Sequence, residues 1–293
     1  MPQEGKPAGL FDDAVVIIDK PPGMTSHEVT TYVRKITGAS RSGHAGTLDP
    51  DVSGVLPVAL GRATKLLRYI AGKEKTYVGI VKFRNIPGKD DVESLFRRFT
   101  GELIQTPPKI SAVRKVPRKR TVYTLRLIEL DGRLALFETR VDAGTYIRTL
   151  CQDMGKTCGG ARMEELRRTA VGGIGEKEAH TMTDLVDAVW LMRKRGDESA
   201  LRKMLLRPES LIGFPKASIK ESAVRSILTG AQVMVPALEK IGEVKRGERV
   251  AVYCGGRFVG IGIMQIDGSD LQSKTRGLAI RMERVHAAAR NPL

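Results

Sequence analysis

GHAGTLDPDVSG occupies residues 43–54 of the chain. Glycines at 43, 46 and 54 surround His44, Thr47, Asp49 and Pro50, and Asp49 is the only acid in the first seven residues of the stretch. An aspartate before proline ordinarily opens a turn, with its side chain bonding nearby N–H groups. Three features point beyond a turn. The glycines permit close backbone approach, expected here to be that of a nucleotide. His44 is one of only four histidines, and the flanking stretches are basic. A carboxylate on a stiff loop can act as nucleophile or general base if it stays ionised, which a neighbouring arginine would ensure. Arg148 in GTYIRTL (144–150) is a candidate partner, although spacing alone does not pair the two.

The segments on either side of the loop alternate in period. AVVIIDK (14–20) is apolar and β-branched, a buried strand, and Pro21, Pro22 and Gly23 then force a turn. Thr25 with Glu28 forms a capping box, Val29, Tyr32, Val33 and Ile36 follow helical spacing, and Gly38 can close the helix. GVLPVALG (54–61) reads as a strand and ATKLLRYIAG (63–72) as a helix. KTYVGIVKF (75–83) is β-prone, and Val92, Leu95, Phe96 and Phe99 mark another helix. Strands are expected at VYTLRLIEL, ALFETRV and ELRRTAVGG. A turn into a helix is expected at 144–159, and a final amphipathic helix at DLVDAVWLMRKRG. The stretch 107–124 has three prolines and is dense in Lys109, Arg114, Lys115, Arg118, Lys119 and Arg120, which predicts a mobile basic loop. After Pro208–Pro215, short β-prone segments are separated by glycine, the pattern of a small β-barrel.

Strands and helices thus mix without βαβ alternation. The expected class is α+β: a catalytic domain with a mixed, mostly antiparallel sheet, plus a small C-terminal barrel. The boundaries are a flexible N-terminus at 1–12, a catalytic domain at 13–212 and a barrel at 213–290. No GxGxxG or P-loop is present, the histidines lack metal-ligand spacing, and no GxSxG elbow occurs. No cofactor and no metal are therefore expected. The three cysteines form no CxxC pair and read as core thiols. No secretory signal is visible and apolar runs are short, so a cytoplasmic protein with no membrane role is expected. Lys and Arg number 49 against 33 Asp and Glu, a formal charge of +16, which makes nucleic acid the first expected partner.

VVIIDKPPGMTSHEV (15–29), GHAGTLDPDVSGVLPVALGRATK (43–65), KTYVGIVKF, GTYIRTL and ELRRTAVG together resemble the TruB/dyskerin family of RNA pseudouridine synthases, and within it the archaeal dyskerin branch. The resemblance covers about residues 13–290 and includes a segment similar to a PUA domain. It implies isomerisation of uridine to pseudouridine without cofactor, in ribosomal RNA inside a box H/ACA guide-RNA particle and also at the tRNA T-loop. The implied partners are guide RNA, substrate rRNA and tRNA, and small accessory proteins.

The resemblance also implies residue roles. Asp49 acts at C1′ of the flipped uridine, Tyr77 stacks on the target base, and Arg148 pairs with Asp49 through a fork suited to bidentate contact. Lys20, His44, Leu166 and Arg167 are implied on the substrate side, with Arg167 supporting the loop or binding phosphate. The stretch 107–124 is implied to close over RNA. Gly230 and Ala231 are the positions for close approach of RNA to the PUA-like segment. Ala45 and Asp51 depart from the family's GHGGTLDPKVTG pattern, and Asp51 is expected to face away from the nucleophile. Two alternatives stand beside this reading: a stand-alone tRNA T-loop enzyme, and a non-catalytic RNA-binding scaffold, against which the intact Asp49, Tyr77 and Arg148 set argues.

Overall fold

In the computed structural model, residues 9–107 and 114–286 are described. They divide into two compact units, with the boundary between Leu211 and Ile212.

The first unit runs β1 (Asp13–Lys20), α1 (Ser26–Thr37), β2 (Ser42–His44), β3 (Ser53–Gly61), α2 (Leu67–Ala71), β4 (Lys75–Phe83), α3 (Lys89–Arg98) and β5 (Gly101–Gln105). It continues with β6 (Arg118–Asp131), β7 (Leu134–Val141), α4 (Ile147–Thr157), β8 (Ala161–Val171), β9 (Ile174–Gly175), α5 (Met182–Arg195), α6 (Ser199–Met204) and β10 (Leu205–Leu206). One sheet runs β10-β1-β3-β8-β4-β7-β6-β5, with β2 beside β3 and β9 beside β8. β3 and β8 pair in parallel and the other neighbours are antiparallel, the mixed sheet that the pattern implied.

Two cores cover this sheet. One joins Val16, Ile18, Leu56, Val58 and Leu60 to Val29 and Val33 of α1 and to Leu185, Val189 and Met192 of α5. The other joins Tyr77, Val81 and Phe137 to Val92, Leu95 and Phe96 of α3 and to Leu150 and Met154 of α4. The Thr25–Glu28 capping box opens α1, and Gly38, at φ 73°, closes it. Pro57 lies inside β3 yet breaks no ladder bond. It falls where the second edge of β3 passes from β8, paired at 53–54, to β2, paired at 58–60.

Three expectations change here. Residues 9–12 are packed rather than loose, since Phe11 is buried with Val16 and Leu56. Within the basic stretch, β6 begins at Arg118, and Arg118–Thr121 pair with β5 ahead of the strand expected from Val122, so ladder hydrogen bonds hold what charge density alone suggested was loop. Residues 108–113 of that stretch lie outside the described residues. The segment 63–72 is a 3₁₀ turn followed by the short α2 rather than one helix.

The second unit holds β11 (Lys216–Ile219), α7 (Glu221–Leu228), β12 (Val233–Met234), β13 (Leu238–Ile241), β14 (Arg249–Cys254), β15 (Arg257–Met264) and β16 (Leu278–Val285). Its sheet, ordered β12-β16-β15-β14-β11-β13, is nearly closed and barrel-like. α7 was not anticipated. A 3₁₀ turn at Val235–Ala237 divides β12 from β13. No helix among the described residues is long and apolar enough to cross a membrane.

Candidate active site

The loop between β2 and β3 is tied down almost residue by residue. Ala45 N donates to Pro57 O at 2.9 Å. Ser26, at the start of α1, clasps Leu48 in both directions: its hydroxyl donates to Leu48 O at 3.0 Å and accepts from Leu48 N at 2.8 Å. Val52 N donates to Asp49 O, and Gly23 N donates to Pro50 O at 2.9 Å. Asp49 is left as the projecting member of an immobilised turn.

Lys20 completes that turn from below. It is fully buried, and Nζ donates to Pro21 O at 2.9 Å, Met24 O at 2.5 Å and Pro50 O at 2.9 Å. With three donors on three carbonyls, its ammonium braces the loop, and in this arrangement it has no donor left to offer to RNA. Burial pulls its pKa below the ordinary lysine value, opposed by the carboxylates of Asp51 and Asp49. The charge of Asp51 reaches Lys20, and Asp51 lines the cleft described below.

Arg168 is the second support, and sequence reasoning passed over it. It is 1% exposed, Nε donates to Val55 O at 2.8 Å, and an Nη donates to Gly46 O at 2.9 Å. Burial lowers its pKa, opposed by the neighbouring Tyr77. The signal was present: adjacent strand residues face opposite ways, so one of Arg167 and Arg168 had to point inward. Gly54, at φ 104°, makes room for this crossing. A β-carbon there would lie 2.2 Å from Arg168 O, so at this glycine the close approach is the chain's own rather than a nucleotide's.

Lys75 was also missed. It shares the inward face of β4 with Tyr77 and Val81, its Nζ donates to Ala71 O and Lys73 O, and burial beside Arg168 pulls its pKa down to about 8.

Arg167 points the other way and is occupied. Its Nη atoms donate to Asp19 Oδ1 and Oδ2 at 2.9 and 3.0 Å, and its Nε donates to Glu176 Oε1 at 2.6 Å. The fork ties β1 to the turn at Glu176, with a 3.5 Å contact to Ser53 Oγ, and is not open to phosphate. His44 is half-buried on β2, with Nδ1 buried and lacking a hydrogen-bond partner among the described residues. Burial, then the charges of Arg168 and His27, lower its pKa and favour a neutral ring at pH 7.

Above these supports, an Arg148 Nη lies 3.3 Å from Asp49 Oδ2, across 99 residues of sequence. The contact is single rather than bidentate, and both side chains are about half exposed. Arg148 also lines a cleft of about 490 Å³ with Leu166, Val52, Val78, Ile80 and Asp51, a size in the range of small-ligand sites. Tyr77 is 8% exposed and packs in one core with Leu48 and Val52, beneath the loop. Thus Asp49 meets Arg148, and Arg148 shares the cleft with Leu166, while Tyr77 packs in the core beneath the loop and Lys20 braces the loop. Burial pushes the Cys151 thiol up to about 12, in keeping with a core thiol. No cluster of three or more His, Cys, Asp or Glu among the described residues could hold a metal. In the second unit Gly230 has φ 112°, and open space lies where its side chain would be. Ala231 beside it is exposed, with its N–H bonded to Ser226 O.

Residues 34–147 match the N-terminal domain of the TruB family of pseudouridylate synthases, 148–212 the tRNA pseudouridylate synthase B C-terminal domain, and 215–286 the PUA domain. The chain is a TruB-family pseudouridine synthase. The synthase is 41% identical over 295 residues to the probable tRNA pseudouridine synthase B of Pyrobaculum arsenaticum, covering 97% of this chain and 89% of that protein. It is 40% identical to the protein of the same name from Archaeoglobus fulgidus, over 92% of this chain and 85% of the other. Among solved structures it is similar to a chain of a Cbf5–Nop10–Gar1 complex. The TM-score is 0.89 at 37% identity, over 99% of the synthase and 92% of that chain. It is also similar to a chain of an H/ACA RNP bound to a substrate RNA containing 2′-deoxyuridine, with TM-score 0.87, 37% identity and coverage of 95% and 86%.

Proposed function

We propose that this synthase modifies ribosomal RNA inside a guide-RNA particle of the box H/ACA kind, assembled with small accessory proteins, and that it also acts on the tRNA T-loop. The observation that carries the chemistry is the Asp49–Arg148 contact at a cleft lined by Leu166. The likeness to chains of complexes described as holding Nop10, Gar1 and substrate RNA supports the particle. The relatives' name, tRNA pseudouridine synthase B, favours the T-loop activity and keeps the stand-alone tRNA enzyme as the second reading.

The proposed reaction uses protein groups alone. A uridine turned out of its helix enters the cleft, where its base can meet Leu166, and Tyr77, packed beneath the loop, is the ring proposed to stack on it. Asp49 acts at C1′, and the C1′–N1 bond breaks. The freed uracil rotates, C5 bonds to C1′, the proton on C5 is lost, and N1 gains one, so the net change is isomerisation. A loop fixed by Ser26, Lys20 and Arg168 keeps the carboxylate near its attack geometry, which is where the rate gain of a rigid site arises. Arg148 places a positive charge 3.3 Å from that carboxylate.

The test is pseudouridine formation on a labelled tRNA T-stem-loop and on a guided rRNA fragment, adding guide RNA and partner proteins stepwise, with wild type and Asp49→Ala. Product on the guided fragment only with guide and partners, absent in Asp49→Ala, is expected. Product on tRNA alone, with no gain from guide or partners, would favour the stand-alone enzyme. No product from wild type on either substrate would favour a scaffold.

A further inference from the structure

We propose that Gln105 is a positioning residue for the Asp49–Arg148 pair, an inference that rests on the catalytic reading of that pair. The pair cannot hold its own geometry. It is one 3.3 Å contact between half-exposed groups, and exposed ion pairs of this kind add little ordering energy. The direction of Arg148 must therefore come from the backbone that carries it.

Arg148 is the second residue of α4, so the entry of α4 sets where it points. That entry has no cap of its own: Tyr146, the residue before the helix, makes no side-chain capping bond. Gln105 supplies the missing contacts from another strand. Its Oε1 accepts from Tyr146 N at 3.0 Å, and its Nε2 donates to Tyr146 O at 3.2 Å. The same Tyr146 O accepts the first helical bond, from Leu150 N at 2.9 Å. A single primary amide thus closes a two-bond ring on the peptide groups of one residue, two positions before Arg148.

Gln105 is itself fixed. It is 3% exposed and ends β5, in register with Arg118 of β6. A buried primary amide with both ends satisfied is a strong constraint, because losing it takes the acceptor from the Tyr146 N–H and leaves Tyr146 O with the Leu150 bond alone. Asp142 steadies the other side of the same turn. Its carboxylate accepts from Thr121 N at 3.0 Å and from the Tyr123 hydroxyl at 2.7 Å, and its carbonyl accepts from Thr145 N. Among the described residues Gln105 bonds Tyr146 and is not one of the residues lining the cleft, so the effect proposed for it passes through Arg148.

The experiment is single-turnover pseudouridine formation by the full chain, with the RNA and partners that support wild-type activity, across RNA concentrations. The variants are Gln105→Met, which removes both bonds at similar size, and Gln105→Glu, which keeps only the acceptor for Tyr146 N–H. Each is made alone and with Arg148→Ala, and melting is followed in parallel. For Gln105→Met we expect a rate at saturating RNA lower by about 10- to 100-fold, half-saturation within about twofold of wild type, and a smaller loss for Gln105→Glu. In the Arg148→Ala background, Gln105→Met should add less than about twofold, because both changes remove one interaction. Full multiplication of the two losses, or altered RNA affinity or melting at an unchanged rate, would overturn the inference. If Gln105→Met does not fold, Gln105→Glu carries the same cycle. Arg148→Ala at full rate would overturn the role of the pair itself, and the inference with it.

Discussion

Asp49 meets Arg148 through one 3.3 Å contact between half-exposed side chains, whereas beneath the same loop Lys20 and Arg168 are buried, with their donors on loop and strand carbonyls. The two faces contain the same kinds of charged group and use them differently. Above, charge meets charge in water, where the attraction is weak and a substrate can intrude. Below, charge meets carbonyl dipoles in a dry core, where each bond is strong and any lost partner is costly. The carboxylate proposed to react is accessible because the rigidity of its loop comes from the other side.

This contrast can be broken from either face. The largest effect is expected at the tip. Asp49→Asn should lower the rate of pseudouridine formation by roughly 10⁴-fold or more with the melting temperature nearly unchanged, measured by single-turnover assay and calorimetry. Wild-type rate in that variant would remove Asp49 from the chemistry. Arg148→Ala comes next, with a loss of roughly 10³-fold and again little change in stability. A Lys at 148 should recover only part of the rate, because an ammonium lacks the fork.

Arg168→Met should do the reverse. Loss of the bonds to Val55 O and Gly46 O is expected to destabilise the first unit by about 3 kcal/mol, seen as a lower urea midpoint, with activity falling because the loop loosens. Unchanged stability would show that the underside is not the anchor described here.

A smaller effect concerns Lys75, whose pKa is drawn down to about 8. Below pH 8 its ammonium is protonated in both folded and unfolded chains. Between about pH 8 and the ordinary lysine value near 10.4 only the unfolded chain keeps that proton, so stability rises with pH through this window. The contribution is of order 2 kcal/mol. Urea midpoints measured from pH 7 to 10 should show a rise in wild type that Lys75→Met lacks. The smallest effect is expected at Gly230, where replacement by Ala strains a positive φ by about 1 kcal/mol and should weaken RNA binding a few-fold without changing the rate at saturating RNA.

Much of this was legible from residue order. The capping box of α1, the turn at Pro21 to Gly23, the alternation of β4 and the glycine-separated strands of the second unit are local signals, each decided by neighbours a few positions away. The chemical identity of Asp49 and Arg148 was legible through motif, but their meeting was not, because 99 residues separate them. Lys20 was expected on the substrate side, but Pro50 O and Met24 O close around it. The basic stretch misled for a related reason. Its charge predicted solvent exposure, and the ladder with β5 then made a strand of its second half.

Sequence alone therefore determined the element types, the basic character, the two-part organisation and the residue types able to act on a uridine, since periodicity, capping and side-chain chemistry are properties of short segments. Which of two adjacent arginines would be buried, which lysine would become a brace, and how Asp49 would come to face Arg148 were decided by the tertiary structure. Strand alternation requires Arg167 and Arg168 to part, but only the parallel seam of β3 on β8 determines which of them lies under the loop.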